Sequence, residues 1–384
     1  MLFFKKSKKK KQDEVQKYWT TPKMEILSGS PGGWDCKTYS KKDIEQIFLA
    51  SGCPCKCIKT ISAPQVITYH FELDNVADIT KLKKPITILS AMIHVRVDQV
   101  NSDVGHFALQ VPAVERALMP LKTCLLTETF DSFKKPQRAC LGLDTTNHSV
   151  VLSVSDMPHM LIAGATGSGK SVLLNSIILS MLYSCFPTDT RFVMIDPKKV
   201  ELSKYEGLPH LYMPIVKEYS EAIQTLETLC DVMDRRYILM AKKGCKKASE
   251  MNLPALVVII DELADLMLTS KYECEQSIIR LAQLGRAAGI HLIVATQRPT
   301  VNVITGLIKS NIPCKIALQT SSVRDSINIL DHQGAESLLG KGDALLKLPD
   351  RVEEIRFQSA YVSDEDIENV VHYWKYDSVH ERQN

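Results

Sequence analysis

The chain has 384 residues, 45% of them hydrophobic and 24% charged, and a formal net charge of +3. That is an ordinary globular composition, long enough for two domains or for one large domain with an appendage, and it excludes a globally basic surface, so any contact with nucleic acid has to come from local patches. The eleven cysteines are scattered and odd in number, with no secretory signal ahead of them, which fits reduced thiols in the cytosol; no apolar run approaches the ~18 residues that span a bilayer, so the expectation is a cytoplasmic protein, soluble or peripheral at a membrane.

Met1-Leu2-Phe3-Phe4 runs into Lys5, Lys6 and then Lys8 to Lys11. Such a run reads as a solvated tail; the sharper reading is an arm for anionic lipid or nucleic acid, each lysine adding about 1 kcal/mol near a charged surface. Ser28-Gly29-Ser30-Pro31-Gly32-Gly33 is a turn-rich linker. Within 41–50, Ile44, Ile47 and Phe48 recur at helical spacing. Cys53-Pro54-Cys55-Lys56-Cys57 invites a metal reading, but a structural zinc site takes four ligands and no second Cys/His pair follows at a suitable spacing. Alternate cysteines on one face of a strand are the plainer account. Val66 to Leu73 alternates like a half-buried strand, and Met92 to Val97 and His106 to Pro112 offer two more. The organisation expected is a basic tail and linker over 1–35, a small α+β domain over 36–145 and an α/β domain over 146–384.

From Val150 onward short apolar runs alternate with helical stretches: Leu161 to Gly164, Phe192 to Asp196, Val257 to Asp261, His291 to Gln297 and Lys315 to Gln319. That pattern predicts a parallel sheet covered on both faces, and such sheets bind ligands at the carboxyl ends of their strands. At the end of the first of these runs stands Gly164-Ala165-Thr166-Gly167-Ser168-Gly169-Lys170-Ser171, which fits the phosphate-binding pattern G-x-x-x-x-G-K-[ST] at every fixed position, between a strand and a helix. The glycines let backbone N–H groups turn inward around phosphate oxygens, and the helix N-terminus favours an anion. Lys170 is expected to reach the β- and γ-phosphates of ATP, and the Ser171 hydroxyl to ligate Mg²⁺.

Val257 to Ile260 delivers Asp261 and Glu262 beside that loop. Asp261 is the candidate for holding Mg²⁺ directly or through water, and Glu262 for orienting and deprotonating an attacking water. A pair of carboxylates opening the next helix reads the same way without any chemistry; downstream of a full phosphate loop the chemical reading gains its force. Gln297, at the end of the next strand, can bond the γ-phosphate or the lytic water, and an ordinary strand-end amide fits its spacing equally well.

Several long stretches sit in fixed order along the chain. Met157 to Ser171 leads to Met194-Ile195-Asp196-Pro197-Lys198 and Asp261-Glu262-Leu263-Ala264-Asp265-Leu266-Met267. Arg286-Ala287-Ala288-Gly289-Ile290-His291-Leu292 precedes Ala295-Thr296-Gln297-Arg298-Pro299-Thr300 and Val303 to Lys309. Gly334 to Asp343 completes the set, and Val111-Pro112 followed by Arg116 is a looser match. Together they resemble the motor portion of the FtsK/SpoIIIE family of bacterial DNA translocases, over roughly residues 60 to 375.

The resemblance implies a RecA-like P-loop motor that assembles as a ring, usually a hexamer, around double-stranded DNA and hydrolyses ATP between subunits. It places Lys242, Lys243, Lys246 and Lys247 in a pore-facing loop, where lysines suit sequence-independent phosphate contact; a solvated loop between helix and strand fits them as well. The family's Asp-Ser-Arg stands here as Asp325-Ser326-Ile327 with an arginine earlier, so Arg324, Arg286 and Arg298 are all candidates for the arginine acting in trans. No membrane spans and no C-terminal winged-helix domain are expected. That departure points to DNA transfer in conjugation or a mobile element, or to chromosome partition, with a membrane-bound partner or a relaxase. The alternatives are a protein-export ATPase of the type VII kind and a non-hydrolysing DNA-binding scaffold.

Overall fold

The structure, a computed structural model, describes residues 19–29, 39–93, 97–101, 105–113 and 117–378. The lysines of the first eleven residues, linker residues 30–33 and Arg116 lie outside the described residues. Residues 19–29, expected as tail and linker, instead pack on the large domain. The Trp19 and Trp374 rings are 5.8 Å apart, Leu27 is buried, and the Ser28 N–H and hydroxyl donate to the Asp366 carboxylate at 2.6 and 3.0 Å.

The small unit consists of α1 (Lys41–Ala50), β1 (Cys55–Ser62), β2 (Val66–Leu73), α2 (Lys83–Ile93), β3 (Asp98–Asn101) and β4 (His106–Pro112). Its four strands pair antiparallel in the order β1-β2-β4-β3. Phe48 of α1 stacks on Phe71 and Phe107 at 5.9 and 5.3 Å, so the helix is fastened to the sheet by its apolar stripe. The strand expected over Met92–Val97 is corrected: Met92 belongs to α2. Ile86, Leu89 and Ile93 fall at helical spacing and share one face toward this core, and the strand begins only at Asp98.

The large domain opens with α3 (Leu121–Leu125), α4 (Glu128–Ser132), β5 (Arg138–Asp144), β6 (Ser149–Ser153) and β7 (His159–Ala163). It continues through α5 (Lys170–Leu182), β8 (Thr190–Ile195), α6 (Tyr219–Lys243), β9 (Ala255–Ile260), α7 (Leu263–Thr269), α8 (Lys271–Ala288) and β10 (Ile290–Thr296). It closes with α9 (Gly306–Asn311), β11 (Cys314–Leu318), α10 (Val323–Leu330), β12 (Asp343–Lys347), β13 (Ile355–Ser359) and α11 (Asp364–His372). Its nine strands lie in the order β6-β5-β13-β12-β11-β7-β10-β9-β8. The five from β11 to β8 are parallel, as the apolar runs predict. The remaining four extend the sheet antiparallel. This is the expected RecA-like α/β fold with a parallel core.

The expected domain boundary at 145 moves toward the N-terminus. Gly142 pairs with Ser359, and Ala139, Leu141, Val150 and Leu152 are buried in the core of the large domain. The segment 138–144 therefore belongs to the large sheet, and the change of sheet falls between Pro112 and Leu121. Strands of the parallel core feed both apolar layers. In β7, Met160 and Ile162 face the layer with α5, while Leu161 and Ala163 face the layer with α6 and α8. Burial on both faces is why these strands read as continuous apolar runs. The small unit docks against the antiparallel side, where Asn147 Nδ2 donates to Ser62 O at 2.7 Å and Arg356 Nη1 to Gln110 Oε1 at 3.3 Å.

Candidate active site

The phosphate loop leaves the carboxyl end of β7 and is tied to its neighbours by backbone. The Gly164 N–H donates to Thr296 O at 3.3 Å and the Ala165 N–H to Gln319 O at 2.8 Å, so the ends of β10 and β11 fix its entry. Gly167 and Gly169 turn it through φ of 79° and 106°, a region that a side chain disfavours. A Cβ on Gly169 would also lie 2.6 Å from the Gly342 nitrogen, whose N–H donates to Ser168 O at 2.7 Å. Gly169 caps α5 with no side-chain bond, leaving first-turn N–H groups directed at the place where an anion binds.

Lys170 and Asp261 meet at the foot of this loop. Lys170 Nζ is 2.7 Å from Asp261 Oδ1 and 2.7 Å from the Asp261 carbonyl oxygen, and both side chains are almost wholly buried, at 3% and 5% exposure. Glu262 follows at the start of α7 and is also buried. Its carboxylate accepts the Thr296 hydroxyl at 2.6 Å, the Gln297 N–H at 3.0 Å and the Ala264 N–H at 3.3 Å. These three donors fix its orientation. Gln297 joins the two halves: its N–H holds Glu262, and its Oε1 accepts the Thr166 hydroxyl of the phosphate loop at 2.8 Å.

Three further residues complete the site and have no role in the sequence reading. Ser171 Oγ donates to Glu201 Oε1 at 2.8 Å. Lys198 lies 2.9 Å from Asp265; the bond to Asp265 holds its ammonium above the ordinary lysine range, and the charges of Glu262 and Asp261 act the same way. Lys198 and Glu201 both follow β8, whose carboxyl end opens onto the same edge of the sheet. The strand-end rule was the signal that could have found them. Among the described residues no three His, Cys, Asp or Glu side chains come together as a ready-made metal site, but the Ser171 hydroxyl and the Asp261 carboxylate are hard oxygen donors of the kind Mg²⁺ takes, with Glu201 bonded to Ser171.

The remaining predicted residues divide between the two edges of the sheet. Lys242 and Lys243 end α6, and Lys246 and Lys247 follow it; all four are exposed. Arg236 pins this end of α6 by donating to Ala288 O at 2.7 Å and Pro254 O at 3.0 Å, just before β10 and β9 begin. The lysines thus lie at the amino edge, opposite the phosphate loop, together with exposed Arg286. Arg298 and Arg324 are exposed at the carboxyl edge. The two segments that carry them are joined by Asn328 Nδ2 donating to Pro299 O at 3.0 Å.

The FtsK/SpoIIIE family model matches residues 120–252 and 245–301. The DNA translocase FtsK of Clostridium acetobutylicum is 39% identical over 380 residues, covering 95% of this chain and 48% of that protein. The DNA translocase FtsK of Pseudomonas syringae pv. tomato is 41% identical over 332 residues, covering 78% and 41%. The chain spans about half the length of the curated relatives it matches. Among solved structures, the pCW3 conjugation coupling protein TcpA, in its monomer form with ATPγS, matches with a TM-score of 0.58 at 22% identity, over 86% of this chain and 98% of that one. The cytoplasmic domain of the Thermomonospora curvata type VII secretion ATPase EccC matches with a TM-score of 0.56 at 24% identity, over 67% and 34%. Those two likenesses show a common fold. The matched motifs and the identity to the FtsK proteins show more than that: the chain belongs to the FtsK/SpoIIIE family.

Proposed function

We propose that this chain is an ATP-driven motor that moves double-stranded DNA, working as a ring of copies that the family resemblance makes hexameric. The observation that carries the proposal is the joined site, in which Lys170 and Asp261 meet at 2.7 Å beside a Glu262 held by Gln297. When ATP enters, its phosphates offer Lys170 partners in place of the Asp261 carboxylate. Ser171 and Asp261 are the residues to hold Mg²⁺, which neutralises charge on the phosphates. As a water oxygen bonds to the γ-phosphorus and the bond to the ADP oxygen breaks, a Glu262 carboxylate oxygen takes the proton of that water. Gln297, bonded to both the loop and Glu262, couples the state of the γ-phosphate to strand β10.

Lys242, Lys243, Lys246 and Lys247 are the candidate contacts to the duplex backbone, and Arg286, Arg298 and Arg324 the candidates for acting on a neighbour's nucleotide. The setting proposed is the cytoplasm or the cytoplasmic face of a membrane, alongside a membrane-bound partner or a relaxase, in conjugative or mobile-element DNA transfer or in chromosome partition.

The test is ATP hydrolysis measured with increasing duplex of unrelated sequences. Stimulation by every duplex is expected. Nucleotide binding without any response to duplex would turn the reading toward a protein-export motor, and absence of nucleotide binding would end it.

A further inference from the structure

The loop after β8 holds a carboxylate that the scheme above leaves without a task. It is built to keep Glu201 in place. Asp196, fully buried at the end of β8, accepts the Leu202 N–H at 2.9 Å. The chain turns at Lys199, whose φ is 61°, with its N–H donating back to Asp196 O at 3.1 Å. Farther on, the buried Tyr205 hydroxyl donates to Asn175 Oδ1 at 2.9 Å. Ser171 and Asn175 are one turn apart on a single face of α5, and Glu201 and Tyr205 answer them with the same spacing. The segment is therefore clasped to α5 at two levels, and the upper clasp sets Glu201 Oε1 2.8 Å from Ser171 Oγ.

We infer that Glu201 is the positioning residue that makes nucleotide binding depend on a divalent cation. The inference rests on the proposed nucleotide site. A carboxylate bonded to the hydroxyl expected to ligate Mg²⁺ lies beside the place of the β- and γ-phosphates. Without the cation, the like charges of Glu201 and the phosphates repel in a half-buried setting, where charge interactions are stronger than in water. With the cation between them, each negative group is attracted to it, and Glu201 holds it directly or through one of its waters. Lys170 favours the phosphates in either condition. Glu201 favours them only when Mg²⁺ is present.

A purely structural role predicts something different, because Glu201→Gln keeps the shape and the acceptor oxygen for Ser171 and removes only the charge. The experiment titrates the full chain with a fluorescent non-hydrolysable ATP analogue, in Mg²⁺ and in EDTA. For the unaltered chain, affinity is expected to drop strongly in EDTA. For Glu201→Gln, the ratio of the two dissociation constants should shrink by about tenfold, mostly through tighter binding in EDTA. Glu201→Ala should give the same shift, so the result does not hang on one variant folding, while Glu201→Asp, which keeps the charge, should stay weak in EDTA. Glu218→Gln, at an exposed ion pair with Lys199, should leave the ratio unchanged. An unaltered ratio in the variants that lack the charge would overturn the role of Glu201. An unaltered chain that binds no nucleotide in either condition would instead overturn the proposed site.

Discussion

The two edges of the large sheet are made differently. Around the phosphate loop at the carboxyl edge, the polar groups are buried or half-buried and each has a named partner: Lys170 with Asp261, Glu262 with Thr296 and Gln297, Ser171 with Glu201. At the amino edge, Lys242, Lys243, Lys246 and Lys247 are exposed at the end of a helix whose carbonyl terminus itself favours cations. Chemistry on one phosphorus atom needs fixed distances, which burial and hydrogen bonds supply. The proposed hold on a uniform polyanion needs charge and freedom to slip, which exposed lysines would supply. The contrast predicts that single substitutions at the carboxyl edge act strongly and individually, and that those at the amino edge act weakly and in sum.

The largest effect on stability is expected at Asp261. Replacing it by alanine leaves the Lys170 ammonium buried without its carboxylate, and losing one partner of a buried pair costs about 3–5 kcal/mol. Urea unfolding without nucleotide should show it, and a loss below ~1 kcal/mol would mean that the pair is no more than a surface contact. Next comes Glu262→Gln, expected to slow hydrolysis by about 10²–10³-fold with nucleotide affinity kept, because the base acts in the proton transfer and not in binding. Lys170→Ala should instead lose affinity. Equal loss of affinity in the two variants would contradict the roles assigned to them.

The sequence makes the carboxyl edge legible because its spacing is rigid. A loop from Gly164 to Ser171 between strand and helix, and an acidic pair after an apolar strand, are local patterns with few other readings. Glu201 escapes because its partner is thirty residues away and its own segment has no motif of chemistry; only the fold shows that Ser171 and Asn175 face Glu201 and Tyr205. The antiparallel strands β5, β6, β12 and β13 escape for a related reason. Their pairing, as of Gly142 with Ser359, is far from local, so the boundary at 145 had no sequence signal against it. Gln297 stood equally open between a role and none, and its two bonds, to Thr166 and Glu262, are what favour a role.

The amino edge also carries two buried histidines that make it sensitive to acid. Burial lowers the pKa of His159 to about 3, with His291 and Arg286 adding positive charge nearby, and burial lowers that of His291 to about 4, with Arg236 and Arg286 acting the same way. His210, buried against Trp374, is lowered to about 3. Each takes up its proton more readily unfolded, near pH 6.5, than folded. Stability is therefore full above about pH 6.5 and is lost as pH falls toward 3–4, with a slope of up to about 1.4 kcal/mol per pH unit for each histidine. Melting temperatures between pH 7.5 and 5 should fall accordingly, and His291→Gln should flatten the fall. A constant melting temperature over that range would contradict this reading, and a fall left unchanged in His291→Gln would remove His291 as its cause.

The smallest effect on the folded chain, and the most telling for the amino edge, concerns the lysine loop. Each of the four is exposed, so replacing Lys242, Lys243, Lys246 and Lys247 by alanine should change stability by no more than about 0.5 kcal/mol apiece, and nucleotide affinity not at all, since the loop and the phosphate loop lie on opposite edges of the sheet. The change should appear in duplex binding. Each neutralised phosphate contributes about −0.9 to the slope of log K against log salt, so the quadruple variant should show a shallower slope by up to ~3.6 if every lysine meets a phosphate. The loss should be the same on two unrelated duplexes, because an ammonium on a flexible stem reads charge and not base edges. A slope equal to that of the unaltered chain would take this loop out of the contact surface and leave the amino edge without a tested partner. A loss confined to one duplex would show that the loop reads sequence, and the contrast between a precise edge and a tolerant one would then fail.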